Sequence, residues 1–329
     1  MQRRDRAAER RMGEAEREAP VAHRAAGLAG PGKEAREFRA LRETGAAAGA
    51  SKSIGSAIVG ARDALARLLV RMGATPNRIT LAGFVLTCGA AYCLARGASR
   101  QVPYFAAGAG ADVGWWPALA ALFLFAAGAC DMLDGAVARV GRLASRTGAL
   151  LDSSVDRFSD MAIYIGCVLH FGALQPANLT YQALAVIALC NGVLISYVKA
   201  RAENMIEDCS VGYWLRGERC AAVLIGCAVG HVPAVLWQLA ISGFFTVWRR
   251  MEYAYRAVHA MDAGQPLPPR GPAPGWLGRL QLWRKPRGSV GYDFVTGLHI
   301  AWIVGAPLIW PALRLGAAQT DPLRHWLGL

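Results

Sequence analysis

The chain has 329 residues, of which 54% are hydrophobic and only 18% charged, with a formal net charge of +13. A soluble domain of this length carries more charge and fewer long apolar runs, so the composition points to a polytopic membrane protein of the all-α class. Nucleic-acid binding is set aside as the reason for the basic excess, because Arg and Lys flank apolar blocks rather than forming one basic face interleaved with aromatics.

Residues 1–50 mix Ala, Arg, Glu and Gly without an apolar stripe and read as a flexible, charged cytoplasmic tail. The tail opens on charge (Arg3, Arg4, Asp5, Arg6) and has no early apolar core, unlike a signal peptide. Residues 51–75 read as an amphipathic juxtamembrane helix. Ile54, Ile58, Ala61, Leu65, Leu68, Leu69 and Met72 recur at helical spacing, with Lys52, Arg62, Arg67 and Arg71 between them. Thr75-Pro76-Asn77 breaks that helix. The spans expected next are 78–96, 116–139, 148–171 and 181–200, then a short one at 219–231 and a sixth ending at Arg249-Arg250. Residues 76–252 thus form a six-helix transmembrane domain. Residues 253–329 form a Pro-rich basic linker and a last apolar segment, 292–313, a candidate extra helix interrupted by Pro307 and Pro311.

Basic residues fall in alternate loops: Arg62, Arg67, Arg71 and Arg78; Arg139, Arg142 and Arg146; Lys199, Arg201, Arg216 and Arg219; Arg249, Arg250 and Arg256. The positive-inside rule places all of these on the cytoplasmic side of a cell membrane. The eight cysteines form no CxxC pair and read as small core residues.

Asp131, Asp134, Asp152, Asp156 and Asp160 lie within 30 positions, at the ends of two apolar segments. Ionisable groups at membrane depth are costly and mark function by default. Asp131 and Asp134 are spaced i, i+3, and Asp152 and Asp156 i, i+4, so each pair shares a helical face. A short basic loop joins the two helices, which are expected to pack antiparallel with the carboxylates near the cytoplasmic end. Clustered carboxylates repel one another unless cations neutralise them, and all-oxygen donors suit Mg²⁺ or Mn²⁺. Two such ions could clamp a pyrophosphate during an in-line displacement.

The stretch Asp131-Met-Leu-Asp134-Gly135-Ala-Val-Ala138-Arg139, eight residues, Gly148-Ala-Leu-Leu-Asp152-Ser-Ser-Val-Asp156 resembles the signature of the CDP-alcohol phosphatidyltransferase family at every fixed position. The resemblance covers residues 52–252. It implies an enzyme that transfers a phosphatidyl group from CDP-diacylglycerol to an alcohol and releases CMP. By the same resemblance Asp131, Asp134 and Asp152 bind one metal ion. Asp131, Asp152 and Asp156 share a second, and Asp156 is the general base. Gly135, Arg139 and Ser145 match positions that hold the CDP moiety, and Asn77, Arg78, Ile79 and Thr80 resemble the nucleotide-contacting turn. A homodimer is implied by the family alone.

Ser196 to Glu203, at the end of the fourth span, resembles the corresponding segment of phosphatidylinositol phosphate synthases. That likeness implies an acceptor-phosphate pocket made by Ser196, Lys199, Arg219 and Arg250, and inositol 1-phosphate as acceptor. Glycerol 3-phosphate or another polar alcohol is the alternative within the family. From another class, a cation-coupled transporter would also use membrane aspartates, but it predicts matching halves, and the chain shows no internal repeat.

Overall fold

The computed structural model describes residues 50–106, 112–270, 290–310, 313 and 321–329. The charged tail 1–49 and most of the Pro-rich stretch, 271–289, lie outside the described residues. Among the described residues there is no β-strand, only an isolated bridge between Gln101 and Val113. The helices run α1 (Ala50–Arg71), α2 (Pro76–Gly97), α3 (Trp116–Val140), α4 (Arg146–Ala173), α5 (Leu179–Ala202), α6 (Arg216–Val229), α7 (Val232–Asp262), α8 (Val290–Ile309) and α9 (Pro322–Leu327).

Local chemistry sets these boundaries. Pro76, Pro117 and Pro233 stand in the first turns of α2, α3 and α7, where a missing N–H costs nothing. Ser145 caps α4 by accepting from the Gly148 N–H at 3.0 Å, and Asn178 caps α5 by accepting from the Tyr181 N–H at 3.1 Å. Gly230 ends α6 in the left-handed region (φ 71°), and any side chain there would strike the backbone of Gln101 and Val102.

Among the described residues, four helical segments are long and apolar enough to cross a membrane: α2, α3, α5 and residues Tyr292–Ile309 of α8. Large apolar side chains such as Leu81, Val85, Leu122, Phe125 and Ile187 remain exposed on them, as a lipid-facing surface requires. The buried core interleaves small residues, among them Ala90, Ala120, Ala185 and Ala188, which let helices approach closely, with larger ones such as Leu94, Phe171, Leu236 and Leu239.

The expected antiparallel packing of the two aspartate helices is not what the fold does. Helices α3 and α4 both pack along α2 and scarcely along each other. Small residues on two faces of α2 explain this. A Cβ on Gly83 of α2 would lie 3.1 Å from Cys130 Cβ of α3, and a Cβ on Gly166 of α4 would collide with the backbone of Ala91 of α2. The short turn 141–145, with Arg142 at φ 54°, still returns the chain so that the aspartates converge at one end.

A second departure lies in α7. The helix does not stop at Arg249-Arg250 but runs on to Asp262, because no Gly or Pro interrupts it before Gly264. The extension buries Tyr253 and Ala257 against Ala202, Ile206, Cys209 and Val211. The connector 203–215 is therefore packed, with Trp214 fully buried.

Polar bonds lock the remaining helices together. Asn191 of α5 donates to the carbonyls of Leu239 and Ala240 of α7 at 3.1 and 2.8 Å. Helix α8 packs on α6 and α7, where the Tyr292 hydroxyl donates to Glu218 at 2.8 Å and Trp302 Nε1 to the Ala234 carbonyl at 3.0 Å. Asp321 accepts from the N–H groups of Leu179 and Thr180 at 2.7 and 3.0 Å, fastening α9 to the start of α5. All eight cysteines are free.

Candidate active site

The carboxylates come from two helix ends. Asp131 and Asp134 lie near the end of α3, one turn apart. Asp152, Asp156 and Asp160 lie along the first half of α4. Asp131, Asp152 and Asp156 each offer an oxygen within 4.8 Å of the others. Three hard oxygen donors at that spacing fit one divalent cation. The fourth signature aspartate takes a different posture. Asp134 is buried, and its Oδ2 accepts from the Thr80 hydroxyl of α2 at 2.7 Å. Thr80, read from the sequence as a nucleotide contact, thus holds an aspartate.

The residues expected to hold the CDP moiety gather around the same end. A Cβ placed on Gly148 would lie 3.4 Å from Asn77 Oδ1 and 3.0 Å from Ser145 Oγ, so the starts of α2 and α4 are adjacent. Gly135 faces Arg139, whose guanidinium nitrogen would lie 3.4 Å from an added Cβ. Asn77, Arg78, Arg139 and Ser145 are exposed, and Ile79 is partly buried beside Ala66, Ala136 and Val137, where α1 meets α3.

The arginines at the start of α6 complete the centre. Arg216 Nη1 lies 2.8 Å from Asp131 Oδ1, its Nη2 3.0 Å from Asp156 Oδ1 and its Nε 3.7 Å from Asp160 Oδ1. Arg219, fully buried, places Nη2 2.7 Å from Asp160 Oδ2 and donates from Nη1 to the Trp214 carbonyl at 3.3 Å. Among the described residues, the Nε atoms of both arginines are buried without a hydrogen-bond partner. Arg157 Nη2 is 3.5 Å from Asp156 Oδ2.

Arg216 and Asp160 were not assigned to the site from sequence. A signal was present. Arg216 and Arg219 occupy the first turn of a helix, where the macrodipole disfavours cations, so carboxylates elsewhere had to compensate.

The other residues expected to bind an acceptor phosphate are divided. Ser196 and Lys199 lie one turn apart near the end of α5, both partly exposed, with the Ser196 hydroxyl donating to the Gly192 carbonyl at 3.1 Å. Arg250 is buried. Its Nε donates to the Val211 carbonyl at 3.0 Å and its Nη1 to the Ile195 carbonyl. It braces α5 and the connector against α7.

Residues 74–253 match the family model described as CDP-alcohol phosphatidyltransferase, which is more than half of the chain. The chain belongs to the CDP-alcohol phosphatidyltransferase family. It is an integral membrane enzyme of phospholipid biosynthesis that transfers phosphatidyl groups. Curated relatives of this phosphatidyltransferase include the archaetidylinositol phosphate synthase of Methanothermobacter thermautotrophicus, 32% identical over 192 residues, covering 56% of this chain and 86% of the relative. The phosphatidylinositol phosphate synthase of Mycobacterium tuberculosis is 32% identical over 207 residues, covering 60% of this chain and 87% of the relative. A crystal structure of the Mycobacterium tuberculosis phosphatidylinositol phosphate synthase with CDP-DAG bound is 27% identical, covers 59% of this chain and 93% of its own, and superposes with a TM-score of 0.49.

Proposed function

We propose that the enzyme transfers the phosphatidyl group of CDP-diacylglycerol to inositol 1-phosphate, giving phosphatidylinositol phosphate and CMP. The observation that carries this reading is the convergence of three carboxylates within 4.8 Å, with Arg216 paired to two of them and Arg219 one turn deeper on Asp160. The names of the relatives support the acceptor. A phosphorylated alcohol needs an anion pocket beside the reacting phosphorus, and Lys or Arg at neighbouring helix ends suits that task.

In this reading Asp156 takes the proton of the acceptor hydroxyl, the oxygen forms a bond to the phosphorus bearing the lipid, and the bond from that phosphorus to the CMP oxygen breaks. Asp131, Asp134 and Asp152 would hold one divalent ion, Mg²⁺ or Mn²⁺, and Asp131, Asp152 and Asp156 a second, which would supply positive charge to the pyrophosphate. Thr80 orients Asp134 for its share. Asn77, Arg78, Ile79, Gly135, Arg139 and Ser145 line the CDP side. Ser196, Lys199 and Arg219 bind the acceptor phosphate, while Arg250 positions them through the carbonyls it holds.

The same reading gives the chain a charged tail (1–50), a juxtamembrane amphipathic helix (51–75), a six-span catalytic domain (76–252) and a C-terminal region (253–329) whose α8 adds a further apolar helix. It faces the active centre to the cytoplasm and makes the enzyme a homodimer in the inner (cytoplasmic) cell membrane.

The test is purified protein with CDP-diacylglycerol, Mg²⁺ and a panel of acceptors. CMP release is expected with inositol 1-phosphate and not with free inositol. Release with glycerol 3-phosphate alone would replace the acceptor, and no release with any acceptor would remove the reading. Lys199→Ala is expected to raise KM for inositol 1-phosphate about tenfold or more while KM for the lipid donor moves little, the loss of one charge-assisted contact. Equal rises in both would place Lys199 outside the acceptor pocket.

A further inference from the structure

Arg216 stands in an unusual position for a residue of this site. Its one planar guanidinium reaches Asp131 of α3 at 2.8 Å and Asp156 of α4 at 3.0 Å, with Nε 3.7 Å from Asp160. Asp131 and Asp156 are also two of the three carboxylates whose oxygens converge within 4.8 Å. The same two side chains therefore answer to a fork-shaped monovalent cation and to a compact divalent one. The two cations repel each other, and at a few ångströms in a half-buried site that repulsion is large. Arg219 is not in this conflict, because its pair with Asp160 lies one turn deeper.

We propose that Arg216 is the resident counter-cation of the carboxylate cluster, and that divalent metal binding is an exchange in which Arg216 gives up Asp131 and Asp156. The inference rests on the metal-binding reading above and adds a residue that sets the affinity of that site. Arg216 keeps the aspartates from repelling one another before metal arrives. Once displaced, its guanidinium keeps Asp160 as an anchor and stays beside the phosphate groups brought to the centre. Nη1 and Nη2, released from Asp131 and Asp156, become donors for them.

The experiment titrates the full-length protein in detergent with Mn²⁺, reading free Mn²⁺ by electron paramagnetic resonance, with no substrate present. Wild type is expected to bind Mn²⁺, and Arg216→Gln to bind it about tenfold or more tightly, since a close charge pair is removed from the competition. Arg216→Lys, a point charge that cannot fork across two carboxylates, is expected to fall between them. Thermal unfolding should cross over. With a chelator Arg216→Gln melts below wild type, and saturating Mn²⁺ raises its melting temperature by more than it raises that of wild type. Arg216→Gln that binds Mn²⁺ no more tightly than wild type, while wild type binds it, overturns the exchange and leaves the metal site standing. Should Arg216→Gln not fold, Arg216→Lys decides alone, and an affinity equal to wild type overturns the proposal. Wild type that binds no Mn²⁺ removes the metal reading and the exchange with it.

Discussion

Asp156→Asn is expected to reduce turnover by about a thousandfold or more while the protein still binds CDP-diacylglycerol. A positioned general base contributes about 10²–10⁴-fold, and in this reading Asp156 also supplies one metal ligand. The amide keeps the shape and can still offer an oxygen, but it cannot take a proton. The structure adds a reason for the fold to tolerate the change. Asp156 faces Arg216 at 3.0 Å and Arg157 at 3.5 Å; losing its charge leaves Arg216 its pair with Asp131, and Arg157 is partly exposed. Measuring kcat by CMP release together with donor affinity separates the two roles. An Asp156→Asn protein with wild-type turnover would assign the base elsewhere.

The second large effect is on stability. Asp160 and Arg219 are only 6% and 4% exposed and pair at 2.7 Å. Asp160→Leu leaves a buried guanidinium without its carboxylate, and is expected to cost about 3–5 kcal/mol. The double change Asp160→Leu with Arg219→Met is expected to recover most of that loss, because a buried ion pair adds little over apolar side chains of similar volume. Thermal or denaturant unfolding in detergent reads both. A double variant as unstable as the single one would show that the cost lies in packing rather than in the orphaned charge. Both variants should lose activity, since Arg219 also belongs to the acceptor pocket in the reading above.

The reactive end of the molecule was largely legible in the sequence. Carboxylates in apolar segments declare themselves by their cost, and the spacing of Asp131 with Asp134 and of Asp152 with Asp156 puts each pair on one face. What escaped were the partners of those carboxylates. Thr80 and Asp134 are 54 positions apart, and Arg216 and Asp131 are 85 apart. No local period links such pairs. The arginines were also hidden by a competing explanation, since the positive-inside rule accounts for basic residues at any cytoplasmic helix end. The packing of α3 and α4 on α2 instead of on each other depended on where small residues allow close approach, as at Gly83 and Gly166. Arg250 shows the limit from the other side. Its residue type fitted an anion pocket, but its burial gave the guanidinium to backbone carbonyls.

Helix α6 has 14 residues, so at 1.5 Å per residue it rises about 21 Å, well short of a hydrocarbon layer about 30 Å thick. Its first turn carries Arg216 and Arg219, and next to the aspartates they face stand Met132, Leu151 and Phe158, all exposed. The clustered carboxylates therefore border an exposed apolar surface, while the helix opposite them is too short to cross the hydrocarbon layer. A water-soluble sugar phosphate and a two-tailed nucleotide lipid share no solvent. In the proposed reaction each would stay in its own phase, the acceptor reaching the carboxylates from the aqueous side and the lipid donor along the bilayer, with transfer at their common boundary.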